Sequence, residues 1–395
     1  MTSTKKITTT DVKRLNKNTI FRLIHFAGKI SRQEIADILK LSLPTVNQNL
    51  KLLLEEKLIV FGGNFDSTGG RKAQVIMVNE QGKFAVSLNI FPGKVKVSLI
   101  DLNGDVVCAY EKNCGAPNDA GYGEAVADMI NHIIKIGKAS HDDVLGVGIT
   151  IPGIFDSDNE VVVSAPIMGL HNFELSDITK HINFKCIALN DAKSKAYSEY
   201  WYEYKNAEKP MTKESFNNRI MPKDPVEKIY LMLDEGVGGA FIRNQHVVAG
   251  RHNRSGEFGH MTIHPGGRKC FCGKTGCFES YVSKRCLSDD LGLSLSEFFE
   301  KLKAGDESIK KHFAGYLDDL TTGINNIYTM TDNDIVIVGA VAHYLYDYQD
   351  EIKEILAKKS AFDTSADYLT FARCSDEMSQ AGAALMFLGD FISRI

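Results

Sequence analysis

Apolar residues in the first 80 positions recur at helical spacing in three short runs. Ile20, Leu23, Ile24 and Ala27 form the stripe of a first helix over residues 16–27. Ile35, Ile38 and Leu39 mark a second, opened by Ser31-Arg32-Gln33-Glu34. That is a capping box, in which a hydroxyl and a carboxylate satisfy amides that the first turn leaves unpaired. After a break at Lys40–Leu41, Ser42 is placed to cap a third helix. Pro44 fits its first turn, where no intrahelical donor is needed. Val46, Leu50, Leu53 and Leu54 form its buried stripe. The period then changes. Leu58–Phe61 and Ala73–Val78 read as two strands around a Gly-, Asn- and Ser-rich turn, Gly62–Gly70, that leads to Arg71 and Lys72. Helix, capped helix, tight turn, helix and hairpin is the order of a winged helix-turn-helix, here residues 1–80. Its third helix enters the DNA major groove and its wing touches the backbone or minor groove. Thr45, Asn47, Gln48, Asn49 and Lys51 are read as the outward, DNA-contacting residues of that helix, with Arg71 and Lys72 on the wing. Asn and Gln amides suit adenine edges. A three-helix module for protein contacts is the alternative.

From about residue 83 strands and helices alternate. Ala85–Ile90, Lys94–Asp101 and Val106–Ala109 read as strands, Gly123–Ile136 as a helix, and Val144–Ile151 and Cys186–Leu189 as apolar parallel strands. The pattern recurs with Lys228–Leu233, Gly239–Arg243, His246–Val248 and the short strand Asp334–Val338. Two β-β-β-α-β-α-β halves predict an α/β, two-lobed, actin/sugar-kinase-like (ribonuclease H-like) duplicated fold with a cleft between the lobes. The expected division is residues 83–192 plus 376–395 for the first lobe and 193–375 for the second. Residues 201–227, rich in charge and Asn and carrying Pro210, Pro222 and Pro225, read as a solvent-exposed insertion without an assignable role.

Composition changes this picture in one respect. The 395 residues are 44% hydrophobic and 24% charged, ordinary for a globular chain. No apolar run is long enough to span a bilayer, and the polar N-terminus does not resemble a secretion signal, so a cytoplasmic protein without membrane contact is expected. The net charge of −4 argues against nucleic acid only if it is evenly spread. Residues 1–80 hold 13 Lys and Arg against 7 Asp and Glu, a net of +6, which leaves −10 on the remainder. A basic module on an acidic body fits a DNA-binding head.

Three of the eight cysteines crowd into residues 270–277, which favours a metal over disulfides in a chain without a secretion signal. His260, Cys270, Cys272 and Cys277 make one imidazole and three thiols, the closed set that structural zinc requires. Gly273 and Gly276 allow the loop to turn tightly between them.

Glu257-Phe258-Gly259-His260, followed by Cys270-Phe271-Cys272-Gly273 and Gly276-Cys277-Phe278-Glu279, resembles the ROK family (repressor, open reading frame, kinase). Val147–Gly153, Asn190-Asp191-Ala192, Ser255-Gly256 and Ala381–Ala384 add to the resemblance, which with the N-terminal module is to the N-acetylglucosamine/xylose repressor branch. The resemblance implies a sugar site made of Asn190, Asp191, Glu257, His260 and Glu279, with zinc orienting His260 as a support for recognition. Asp191 stands where kinases of the family keep their general base. The phosphate loops depart from the kinase pattern. Asn89-Ile90-Phe91-Pro92-Gly93 replaces a carboxylate by an amide, Asp234-Glu235-Gly236 sets two carboxylates where a triphosphate would lie, and Gly339-Ala340 replaces a Gly-Gly pair. The expectation is therefore a sugar-responsive transcriptional regulator, not an enzyme, with structural Zn2+ and no ATP. It would act as a homodimer or homotetramer and be released from operator DNA by a mono- or aminosugar or its phosphate. A sugar kinase with an accessory DNA-binding domain is the alternative.

Overall fold

A computed structural model of the chain describes residues 9–66, 72–156, 160–207, 212–220 and 227–395. The head consists of α1 (Thr9–Ala27), α2 (Arg32–Leu39), α3 (Leu43–Glu55), β1 (Ile59–Asn64) and β2 (Gln74–Val78). The capping box forms as read: Ser31 accepts the Glu34 amide, and the Glu34 carboxylate accepts the Ser31 amide at 2.8 Å. Lys40 closes α2 in the left-handed region, φ 57°, and Ser42 caps α3 with Pro44 in its first turn. The first helix begins seven residues earlier than its apolar stripe suggests, because polar residues extend it beyond the stripe. β1 and β2 pair antiparallel, Ile59 opposite Val78, and Ile30 adds a bridge to Ile76.

The body is built twice on one plan. The first unit runs β3 (Phe84–Phe91), β4 (Lys94–Asp101), β5 (Val106–Asn113), α4 (Tyr122–Ile136), β6 (Val144–Thr150), β7 (Ile154–Asp156), β8 (Val161–Ala165), β9 (Leu170–Glu174), α5 (Ser176–Thr179) and β10 (Cys186–Leu189). The helices α6 (Asp191–Asn206) and α7 (Lys213–Ile220) follow. The second unit runs β11 (Glu227–Leu233), β12 (Val237–Arg243), β13 (His246–Val247), α8 (Glu279–Val282), α9 (Leu295–Lys303), α10 (Glu307–Thr331), β14 (Asp334–Val338), α11 (Ala342–Leu345), α12 (Gln349–Lys359) and β15 (Leu369–Phe371). α13 (Asp376–Ser379) and α14 (Gly382–Arg394) complete the chain. The strand orders β5-β4-β3-β6-β10 and β13-β12-β11-β14-β15 are the same, with the first three strands of each unit antiparallel and the last two parallel. The small antiparallel sheet β7-β8-β9 had no clear signal in the sequence.

Three apolar clusters hold these layers. One lies between the first sheet and α4, a second between the other sheet and α9, α10 and α12. The third is continuous from the stripes of α1–α3, through α6 and α14, to the inner face of the second sheet at Tyr230, Met232, Val336 and Val338. Head and body thus share one core. The described parts of residues 201–227, which are 201–207, 212–220 and Glu227, are not wholly the exposed insertion that composition suggests, and Pro210, Pro222 and Pro225 lie outside the described residues. Trp201 is 3% exposed within α6, and Phe216 of α7 is fully buried against the Phe26 ring of α1. Of the described charged residues here, Lys213 and Glu214 are exposed, whereas Glu203 and Lys205 are half-buried and paired with Lys228 and Asp105.

Candidate functional site

Parallel strands leave the loops that follow their carboxyl ends in one crevice, where ligands of such sheets bind. The sequence motifs fall there: Pro152-Gly153 after β6, Asn190-Asp191 after β10, Asp234–Gly236 after β11 and Gly339-Ala340 after β14. Asn190 is the N-cap of α6, its Oδ1 accepting the Lys193 amide at 2.9 Å. Asp191 opens the helix. Burial raises its carboxyl above the usual carboxylate range, opposed by Lys195 and reinforced by Asp234. Burial also raises Glu257, with His260 and Lys193 opposing and Asp191 and Glu279 reinforcing. The charges of Asp191, Lys193, Glu257, His260 and Glu279 therefore act on one another, although they arise from three separate stretches of chain.

Glu257 stands at the N-cap position of a short 3-10 segment, Phe258–His260, which His260 ends and which follows Gly256. Gly256 has φ +87°, and a Cβ there would meet the Gly239 carbonyl of β12 at 2.2 Å, so this turn requires glycine. Glu279 is 9% exposed and turned inward. Its Oε2 accepts the Val237 amide at 3.0 Å and its Oε1 lies 3.6 Å from Cys270 Sγ. Both oxygens are engaged within the chain, and the carboxylate joins β12 to the cysteine loop.

The loop itself folds as the glycines suggested. Gly273 and Gly276 have φ +82° and +81°, and Cys270 donates its amide to the Lys274 carbonyl at 2.9 Å. The donor atoms of His260, Cys270, Cys272 and Cys277 all lie within 4.8 Å of one another. Cys272 Sγ is 3.7 Å from Cys277 Sγ, and Cys270 Sγ is 3.7 Å from His260 Nδ1. A tetrahedron with arms of about 2.3 Å has edges of about 3.8 Å, so these spacings fit a zinc ion. The ring turns Nδ1 toward the sulfurs, leaving Nε2 for the opposite side.

Three lysines escaped the sequence reading. Lys193 is 2% exposed and donates to Asn253 O at 2.7 Å and Asn253 Oδ1 at 2.8 Å. Lys195 pairs with Asp234, and Lys284 pairs with Glu235. Each carboxylate of Asp234-Glu235 thus has a lysine partner, so the repulsion of a triphosphate expected from the pair is partly offset. Of the kinase-loop substitutions, Asn89 is buried and donates to Ser87 Oγ at 3.0 Å. Asp191 and Lys195 stand at i and i+4, one helix face, and that spacing was the available signal.

In the head, Asn47, Gln48 and Lys51 are exposed on α3, Thr45 is half-buried, and Lys72 is exposed beside β2. Asn49 does not point outward. It is 5% exposed and its Nδ2 donates to the Thr45 carbonyl at 2.8 Å. At 100° per residue Asn49, three after Val46 and four before Leu53, lies on the buried stripe. Arg71 lies outside the described residues. No helix among the described residues is long and apolar enough to cross a membrane.

Comparison with known proteins agrees with this geometry. A profile of the ROK family matches residues 86–213 and 219–389, and one described as winged helix-turn-helix DNA-binding matches residues 19–60. The chain is 28% identical over 283 residues to the xylose repressor of Bacillus subtilis, covering 71% of this chain and 69% of that one. It is 24% identical over 277 residues to the N-acetylglucosamine repressor of Shigella flexneri, covering 70% and 64%. A crystal structure of a ROK family transcriptional regulator, described as a homologue of the Escherichia coli MLC protein, has the same fold over 97% of both chains, with a TM-score of 0.71 at 20% identity. With the duplicated sheets, the cysteine–histidine loop and a profile match over most of its length, the chain belongs to the ROK family, with a winged helix-turn-helix at its N-terminal end.

Proposed function

We propose that the protein is a sugar-responsive transcriptional repressor. Its head reads operator DNA, and the body binds a mono- or aminosugar or its phosphate between two lobes divided near residue 192. The observation that carries this reading is the course of α6. Its first residues, Asn190 and Asp191, belong to the sugar set, and its last turns carry the head. The Trp201 ring meets His25 edge-on at 5.8 Å, and Tyr204 meets Phe26 at 4.0 Å between ring centroids. α14 does the same from the other side, accepting the Asn18 amide on its Ile392 carbonyl at 2.8 Å. A sugar that pulls the second lobe against Asp191 therefore moves a rigid element on which the head rests. In a homodimer or homotetramer this alters the spacing of two recognition helices, which must fall one DNA turn apart.

The sugar hydroxyls, which both donate and accept, would be held by Asn190 Nδ2, Asp191, Glu257 and His260 Nε2, with Glu279 fixing the wall behind them. Zinc, when bound by His260, Cys270, Cys272 and Cys277, supplies a rigid knot that sets the ring orientation. DNA contacts are assigned to Thr45, Asn47, Gln48 and Lys51, and to Arg71 and Lys72 of the wing. The test is operator binding by the purified full chain during titration with xylose, glucose and N-acetylglucosamine and their phosphates. At least one should weaken binding tenfold or more, about 1.4 kcal/mol. No response to any of them, with DNA binding intact, would reject the effector part.

A second reading, a sugar kinase, is favoured by Asp191 alone, whose buried carboxyl suits a general base. The loops that would hold a nucleotide carry Asn89, the paired Asp234 and Glu235, and Ala340. An ADP-release assay over the same sugars should show no turnover. Turnover near one per second that Asp191→Asn abolishes would replace the repressor reading.

A further inference from the structure

A cavity of about 250 Å3 opens between the small sheet of the first lobe and the loop that leads to Glu257 in the second. Phe155, Asp156 and Val163 line one side, and residues 249–254 line the other. Three of the last four residues of that loop, Arg251, His252 and Arg254, are basic, and among the described residues of the lining Asp156 is the one acidic residue. The loop is held from behind rather than by these side chains. Asn253 adopts φ 55°, a conformation rare for a residue with a side chain, and both its oxygens accept the ammonium of buried Lys193. The Ser255 amide closes the turn on the Ala249 carbonyl at 3.1 Å. The two guanidinium groups and the imidazole stay exposed, and among the described residues no carboxylate pairs with them. Like charges gathered on a turn anchored by an internal lysine repel one another, and an anion between them would relieve this.

We propose that this cavity is an anion subsite, and that the effector is a sugar monophosphate whose phosphoryl group lies against Arg251, His252 and Arg254. The proposal rests on the sugar reading of Asp191 and Glu257. Position links the two: Glu257 lies three residues beyond Arg254, and Lys193, which holds the loop, stands two residues after Asp191. In this proposal a sugar held by those carboxylates would present one end to the cavity. A phosphoryl group presents three acceptor oxygens, enough for two guanidinium forks and an imidazole, whereas a carboxylate presents two. The anion would also join the lobes, since its other wall is the small sheet of the first.

Matched titrations of the full chain test this: N-acetylglucosamine, glucose and xylose, each against its 6-phosphate or, for xylose, 5-phosphate, with inorganic phosphate alone. One phosphorylated sugar should bind about tenfold or more tighter than its parent, a preference that shrinks as salt is raised. The double variant Arg251→Ala/Arg254→Ala, exposed and outside the packed core, should lose that preference while affinity for the parent sugar stays within about twofold. Asp191→Asn should weaken both members of the pair. Neutral sugars binding as tightly as their phosphates, or a double variant with an unchanged ratio, would overturn the subsite and leave the sugar reading standing. Inorganic phosphate bound with the same dependence on Arg251 and Arg254, while no sugar or sugar phosphate binds more tightly, would overturn the sugar reading instead.

Discussion

Cys272 is the exposed cysteine of the candidate metal set, in which His260 is exposed too, yet its sulfur lies 3.7 Å from that of Cys277. Removing it leaves three donors where structural zinc takes four. Cys272→Ser should lower bound zinc well below one equivalent and abolish the sugar response, because His260 then loses its fixed orientation; metal analysis that still finds one zinc per chain would refute the ligand assignment. His25 is a different kind of residue. Its Nε2 faces the Leu102 carbonyl at 3.2 Å, its Nδ1 has no hydrogen-bond partner among the described residues, and burial lowers its pKa to about 4. The unfolded chain protonates this ring near 6.5. Between those values the unfolded state binds more protons, so stability falls as pH drops from 6.5 toward 4, by up to roughly 3 kcal/mol. Asp101, raised by burial to about 6, works in the opposite sense, because its folded form keeps a proton that the unfolded form has lost. His25→Phe should flatten the loss of stability between pH 6.5 and 4. Parallel melting curves for variant and parent across that range would show that His25 stays neutral at no cost. The residue scale also explains where the sequence reading of the head failed. Asn49 has the chemistry of a DNA contact, while its spacing from Val46 and Leu53 puts it inside.

Among the elements, α1 to α3 are written in local signals, and the structure follows them. Ser31, Glu34, Ser42 and Pro44 act on amides within three residues of themselves, so no distant contact is needed to read them. Ser31→Ala should cost about 1 kcal/mol of head stability, visible as a lower melting midpoint, and Ser31→Asp should restore most of it. α6 is less legible. A sequence rich in Lys, Glu and Tyr reads as a solvated helix, and its burial follows from being clasped by α14, the second sheet and α1 together. Phe26 of α1, against Tyr204 and Phe216, is the side chain through which that clasp reaches the head. Phe26→Ala should cost roughly 3–5 kcal/mol at this junction. The expected calorimetric result is a head that melts apart from the body, with operator binding that no longer responds to sugar. One cooperative transition with the response intact would mean that coupling runs elsewhere.

The whole molecule is a basic reader on an acidic, twice-repeated body, and its charge division follows that plan. Duplex binding should fall steeply with salt, and deletion of residues 1–80 should abolish it, whereas the sugar sites should survive in the remaining body; salt-independent binding that persists without the head would contradict the assignment. Much of this was present in the sequence itself. The order of head elements, the main strands of each half apart from β7–β9 and β15, and the clustering of His260 with Cys270, Cys272 and Cys277 were legible, because helical period, strand alternation, caps and donor spacing act over a few neighbouring residues. The tertiary structure decided what depends on meeting at a distance. It paired Lys195 with Asp234 and Lys193 with Asn253, across 39 and 60 positions. It turned Glu279 inward onto Val237, and it packed Trp201 and Phe216 into a junction that composition had assigned to solvent. A side chain's chemistry is local, but its partner is set by which loops the two sheets bring to the same crevice.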